Sequence, residues 1–174
     1  MTPDRILLIG MMGAGKTTVG HALSGLMGWP YYDNDDLLRR AVGKDTRQLQ
    51  EEEGEAPLRR AESAALTVAL TEGGPLIAGV AGGVVRDPLD RQRLQAGGFV
   101  VWLRATIETL AHRVQGTDRP WLGKDPYADL AALYAGRADL YQSVASLVVD
   151  VDALPPDVVA ERVAAAISAS ARAG

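Results

Sequence analysis

Residues 10–18 read Gly10-Met11-Met12-Gly13-Ala14-Gly15-Lys16-Thr17-Thr18, a match to G-x-x-x-x-G-K-[ST]. The stretch lies between a short apolar run, Ile6-Leu7-Leu8-Ile9, and a segment, Lys16–Met27, whose Val19, Ala22, Leu23 and Leu26 recur at helical spacing before Gly28. A strand that turns into a helix through glycines constrains the chain more than anything else in it. The glycines let successive backbone N–H groups converge on an anion, and the new helix adds free N–H groups and its positive dipole end. Gly13, Ala14, Gly15, Lys16, Thr17 and Thr18 are thereby assigned to the phosphates of a nucleotide. Lys16 reaches the β- and γ-phosphates, and the Thr17 hydroxyl is offered to Mg²⁺.

The rest of the chain repeats the same grammar. Apolar runs at 5–9, 29–32, 75–80, 99–103 and 147–151 alternate with helix-length segments, among them Glu55–Thr71, a helix opened by Asp87-Pro88, and an alanine-rich closing helix at 155–171. Alternation of this kind predicts a three-layer α/β fold, a central five-stranded parallel sheet flanked by helices. No linker, repeat or charge block divides the 174 residues, so one domain over 1–174 is expected. Ligands of such folds bind beyond the carboxyl ends of the strands.

Composition removes several classes of function. A net charge of −4 argues against nucleic acid and anionic membranes as partners. The absence of cysteine excludes disulfides, thiolate metal sites and thiol catalysis, and two scattered histidines, His21 and His112, make a poor metal site. No apolar run approaches a membrane span, and the first residues do not form a signal peptide, so a cytoplasmic location is expected. With one phenylalanine in the chain, the core must be built from Leu, Val and Ala. Only three residues are lysine (16, 44 and 124), so most of the cationic work falls to arginine.

No Asn-Lys-x-Asp segment is present to read guanine, which favours ATP, and a chain of this size suits a small kinase better than a motor. After the second apolar run comes Asp33-Asn34-Asp35-Asp36. In extended chain Asp33 and Asp35 share a side. Asp33 is then a candidate to hold Mg²⁺ through water, and Asp35 to accept or orient the acceptor hydroxyl. The competing structural reading is an N-cap cluster for a helix over 36–42, in which Asp36 is the cap.

The phosphate loop with Asp33-x-Asp35 behind it resembles the shikimate kinase family. So does the ordered series that follows: Gly54-Glu55-x-x-Leu58-Arg59-x-x-Glu62, Ala81-Gly82-Gly83, Arg119-Pro120-Trp121-Leu122 and Arg137-x-x-Leu140-Tyr141-x-x-x-Ala145. The similarity runs from about residue 5 to 165. It implies an ATP-dependent phosphorylation of the 3-hydroxyl of shikimate with Mg²⁺ as cofactor, in a monomer. The acceptor-binding segment would span about 34–62 and a lid about 114–125. It further implies that Arg59 and Arg137 clamp the carboxylate, a task for which the guanidinium fork is suited. Asp35 would assist the hydroxyl, with Lys16 and Arg119 as its catalytic partners. Gly82 and Gly83 would present backbone N–H groups to the acceptor. Arg119 would close over the phosphates, Arg113 stack on adenine, and Glu62 orient Arg59.

Several positions depart from the family pattern. Gln50 and Leu58 stand where phenylalanine is usual, Ala81 replaces the first glycine of its turn, and Gly79 replaces a small hydroxyl residue associated with metal-bound water. The lid is short and carries Asp118. These departures keep open a related sugar-acid or cyclitol kinase of the gluconate type, and a nucleotide-binding module without catalysis. Asn34 and Leu38 stand where a gluconate kinase has glycine and histidine, which disfavours that option.

Overall fold

The computed structural model describes residues 3–115, 122, 123 and 125–173. At its centre is β1 (Arg5–Ile9), whose Ile6, Leu7, Leu8 and Ile9 are fully buried. Side chains of a strand alternate between faces, so four successive buried positions require cover on both sides. The other strands are β2 (Tyr31–Tyr32), β3 (Leu76–Gly79), β4 (Phe99–Arg104) and β5 (Leu147–Asp150). All pairings are parallel, in the order β2-β3-β1-β4-β5, as the alternation of runs and helices required. The order reverses direction at β1, which puts a crevice beyond its carboxyl end.

Among the described residues the helices are α1 (Lys16–Met27), α2 (Asn34–Val42), α3 (Thr46–Glu52), α4 (Glu55–Thr71), α5 (Pro88–Gly97), α6 (Ile107–Val114), α7 (Pro126–Ala135), α8 (Ala138–Val144) and α9 (Pro156–Ala173), with a 3-10 turn at Val84–Arg86. None is long and apolar enough to cross a membrane. α9 packs along α1, while α2 and α3 pack on α4. The core is aliphatic, Leu, Val, Ile and Ala for the most part, with Phe99 only partly buried. Its large rings are Trp102 and Tyr141, whose centroids lie 5.6 Å apart.

The differences from the sequence reading are local and have local causes. β2 is shorter than the apolar run at 29–32 because Pro30 has no N–H to give the ladder. The acidic stretch at 51–55 holds two helix ends. α3 stops in it and α4 starts in it, separated by Gly54 at φ 87°. The cap of α2 also falls elsewhere than expected. Asp33, not Asp36, is the N-cap: its side chain accepts from Asp36 N at 2.9 Å, while the Asp36 carboxylate accepts from Asp33 N at 3.3 Å. This reciprocal box starts the helix two residues earlier than the sequence suggested. Asp33 and Asp35 therefore do not project from one extended strand.

The box makes a measurable distinction at Asp33. Asp33→Ala should lower the unfolding free energy by about 1 kcal/mol, whereas Asp33→Asn, an equally good cap, should stay within a few tenths. Urea denaturation of the two variants checks this, and equal losses would remove the cap from the account.

Candidate active site

Beyond the carboxyl end of β1 the chain opens a cleft of about 930 Å³ lined by the phosphate loop, the 33–35 segment, α3, the start of α4, the 79–83 turn and Arg137. The loop reaches this place through backbone forms that glycine tolerates. Gly10 sits at φ +142°, and a Cβ there would stand 2.6 Å from the Leu103 carbonyl oxygen. Gly15, at φ 94°, caps α1 with no side chain of its own, and the first turn of α1 holds no acidic residue. The free N–H groups of that turn are left to an anion. Lys16 Nζ donates to Gly10 O at 2.8 Å and to Met11 O at 3.1 Å, folded onto the carbonyls of its own loop.

Asp35 lies in the first turn of α2, and its position is set from a different helix. Thr46, the first residue of α3, donates to Asp35 Oδ1 from its backbone N at 3.0 Å and from its hydroxyl at 2.6 Å. The same hydroxyl accepts from Asn34 Nδ2 at 3.1 Å. Both Thr46 bonds fall on Oδ1, so Oδ2 is left for an incoming group. Thr46 carried no signal in the sequence, because a hydroxyl eleven residues from a carboxylate marks nothing until the α2–α3 turn brings them together.

The end of the cleft beside the 82–83 turn is organised by a buried carboxylate. Glu62 is 5% exposed, and Arg59 Nη1 donates to its Oε2 at 2.8 Å. Burial pushes the Glu62 carboxyl above its ordinary range, and the guanidinium groups of Arg59 and Arg137 pull it the other way. For Arg59 burial works to lower the pKa, but Glu62 and Glu55 together hold it above its ordinary value. The pair is thus no exposed surface bridge. Arg137, which would ordinarily be solvated at a helix end, is 6% exposed at the N-terminus of α8. Tyr141, on that helix, donates to Gly82 O at 2.8 Å, and burial pushes its phenol up to about 12. The 82–83 turn leaves no room for side chains. A Cβ on Gly82 would lie 2.8 Å from Gly10 O, and one on Gly83 would overlap the Arg59 guanidinium. Leu58 is buried in the cleft wall and Gln50 lines it.

At the opposite end Arg113 is exposed, donating to Gly13 O at 3.3 Å and Val151 O at 3.0 Å beside Leu154, Pro156 and Val159. Thr17 and Asp33 line the cleft together with Tyr31. Burial raises the Tyr31 phenol to about 12, Thr17 pulling it down and the charges of Asp33 and Asp36 adding to the rise. Arg119 and most of the expected lid, 116–121 and 124, lie outside the described residues. Every other residue assigned from the sequence is brought to this one cleft.

A phosphate loop, a held carboxylate and two forked cations in one cleft of a parallel sheet define a phosphotransferase acting on a hydroxyl group. The family model for shikimate kinase matches residues 12–168, and the chain belongs to that family. The chain is 36% identical over 161 residues to shikimate kinase 2 of Sodalis glossinidius, covering 90% of this chain and 91% of that one. It is 37% identical over 171 residues to the shikimate kinase of Nitrosospira multiformis, covering 97% and 87%. Among solved structures, shikimate kinase from Acinetobacter baumannii in complex with shikimate superposes with a TM-score of 0.90 at 30% identity, covering 97% of this chain and 95% of that one.

The bonds to Asp35 generate a test. Thr46→Val keeps the shape and the backbone N–H but removes the hydroxyl donor to a charged group, so kcat should fall about three- to tenfold with the ATP KM unchanged. Steady-state kinetics checks it, and unchanged kcat would detach Thr46 from the carboxylate's placement.

Proposed function

We propose that the chain transfers the γ-phosphoryl group of ATP to the 3-hydroxyl of shikimate, giving ADP and shikimate 3-phosphate. The observation that carries this reading is two guanidinium groups, Arg59 bonded to the buried Glu62 and the buried Arg137, in the cleft whose other wall is the phosphate loop. A pair of forked cations, one buried and one half-buried, suits a planar carboxylate on a small acceptor, which lysine would hold only as a point charge. Membership of the shikimate kinase family supports the same acceptor.

In this reading the N–H groups of residues 13–18 take the phosphates, and Lys16 leaves the carbonyls of Gly10 and Met11 for the β- and γ-oxygens. Arg59 and Arg137 bind the acceptor carboxylate, and the bare backbone of Gly82 and Gly83 lets the ring approach. Asp35, fixed through Oδ1 by Thr46, receives the acceptor hydroxyl on Oδ2 and orients it in line, taking its proton as the bond to phosphorus forms. Arg113 flanks the base, and Arg119, assigned from the sequence, closes over the phosphates. Mg²⁺ bound with the nucleotide would neutralise charge on the phosphate oxygens. The residues present fit that cation. Thr17 and Asp33 are hard oxygen donors, and a buried, unpartnered hydroxyl on Tyr31 faces them. An ion that keeps water and phosphate ligands needs few from the protein.

Gln50 and Leu58 in the acceptor wall favour one second reading, a related polyol acid as acceptor. A coupled ADP-release assay with shikimate, quinate, gluconate and no acceptor separates the two. Turnover on shikimate is expected, and turnover on gluconate without shikimate would overturn the assignment. Within the shikimate reaction, Arg59→Lys should raise the acceptor KM about tenfold through loss of a bidentate contact, with a much smaller change in kcat. Unchanged shikimate kinetics would remove Arg59 from the clamp.

A further inference from the structure

Among the described residues three side-chain atoms are buried without a hydrogen-bond partner: Arg5 Nε, Arg59 Nε and Tyr31 Oη. Both arginines bond through their other nitrogens. The Tyr31 hydroxyl is the only polar atom of its side chain, and buried tyrosine hydroxyls ordinarily find a partner. A phenylalanine would fill the same apolar space without stranding an oxygen.

The surroundings are shaped to admit that oxygen. The ring of Tyr31 lies where a Cβ on Gly20 would overlap it, with His21 edge-on at 4.9 Å. The hydroxyl itself lies 2.5 Å from the point a Cβ on Gly79 would occupy. Gly79 ends β3, the strand paired with β2, which carries Tyr31. It is also the position where the sequence departs from a small hydroxyl residue. The bare strand end and the long phenol are complementary: one vacates the place that the other's oxygen takes. From there the hydroxyl faces Thr17, with no hydrogen bond of regular geometry joining them, and it senses the charge of Asp33.

We propose that Tyr31 is a positioning residue for the divalent cation carried with the nucleotide, its hydroxyl accepting a hydrogen bond from a cation-bound water between Thr17 and Asp33. Water on a divalent cation is a strengthened donor, and a phenol oxygen with a free lone pair is a suitable acceptor. The orphaned atom then has its partner only in the loaded state. This inference rests on the Mg²⁺ reading above and adds to it the residue that replaces the strand hydroxyl lost at Gly79.

Isothermal titration of the full chain with ADP, in Mg²⁺ and in EDTA, tests it through the ratio of the two affinities. In the unmodified protein Mg²⁺ should tighten ADP binding. Tyr31→Phe should reduce that enhancement about fivefold, the size of one net hydrogen bond. The loss should be confined to the Mg²⁺-dependent part, and the melting temperature should change little, because no hydrogen bond of regular geometry ties the hydroxyl to the protein. Adding Gly79→Ser to Tyr31→Phe should restore the enhancement by returning a hydroxyl to the same place, whereas Gly79→Ser with Tyr31 present should destabilise the fold by collision. A purely structural tyrosine would shift the melting temperature and leave the ratio alone. Equal Mg²⁺ enhancement in Tyr31→Phe and the unmodified chain would overturn the proposal and leave the metal reading standing. No Mg²⁺ enhancement in the unmodified chain would overturn both.

Discussion

The residue on which most of this architecture converges is Gly10. Its Cα passes so close to the Leu103 carbonyl of β4 that no side chain fits, and its own carbonyl takes the Lys16 ammonium. On another side that carbonyl lies against Gly82, where a Cβ would stand 2.8 Å from it. The phosphate loop and the 82–83 turn are thus packed backbone to backbone at the end of the central strand. In-line transfer requires the two substrates within about 3–3.5 Å of each other. On the proposed reading, the spacing of their binding elements is set by main chain in contact with main chain, which side-chain motion does little to relax.

Away from that contact, the site depends on burying charge with company. Glu62 is expensive to bury alone, and the neighbouring guanidinium groups make it tolerable. In return it takes a hydrogen bond from Arg59 at the rim of the cleft. Removing one partner of such a cluster leaves the others uncompensated, so these residues act as a unit and not as three independent contacts. Tyr141 extends the unit by tying α8 to the 82–83 turn.

What the sequence disclosed and what it hid divide by range. The helices 16–27 and 55–71 were readable to the residue because their apolar positions recur at helical spacing between glycines, Gly15 and Gly28 in one case and Gly54 and Gly73 in the other. The phosphate loop was readable because its constraint is local too. Burial of Arg137 was not, since an arginine before a helix is ordinarily solvated and only the fold shows it enclosed. The pairing of Asp35 with Thr46 depends on a turn between two short helices. The meeting of Tyr31 with Gly79 depends on neighbouring strands far apart in sequence. The cap of α2 was misplaced by the sequence because three acidic residues compete within four positions and only geometry chooses among them.

Arg113 has a consequence of another kind. Its guanidinium is held by two carbonyls, Gly13 O and Val151 O, that belong to segments far apart in the chain. It bridges the phosphate loop and the segment after β5 across one end of the cleft, before any ligand arrives. A slot gauged by the protein's own backbone selects first by the length and thickness of what is inserted. On the proposed reading the nucleotide meets a space already cut to size, and little of its binding energy goes into shaping that space.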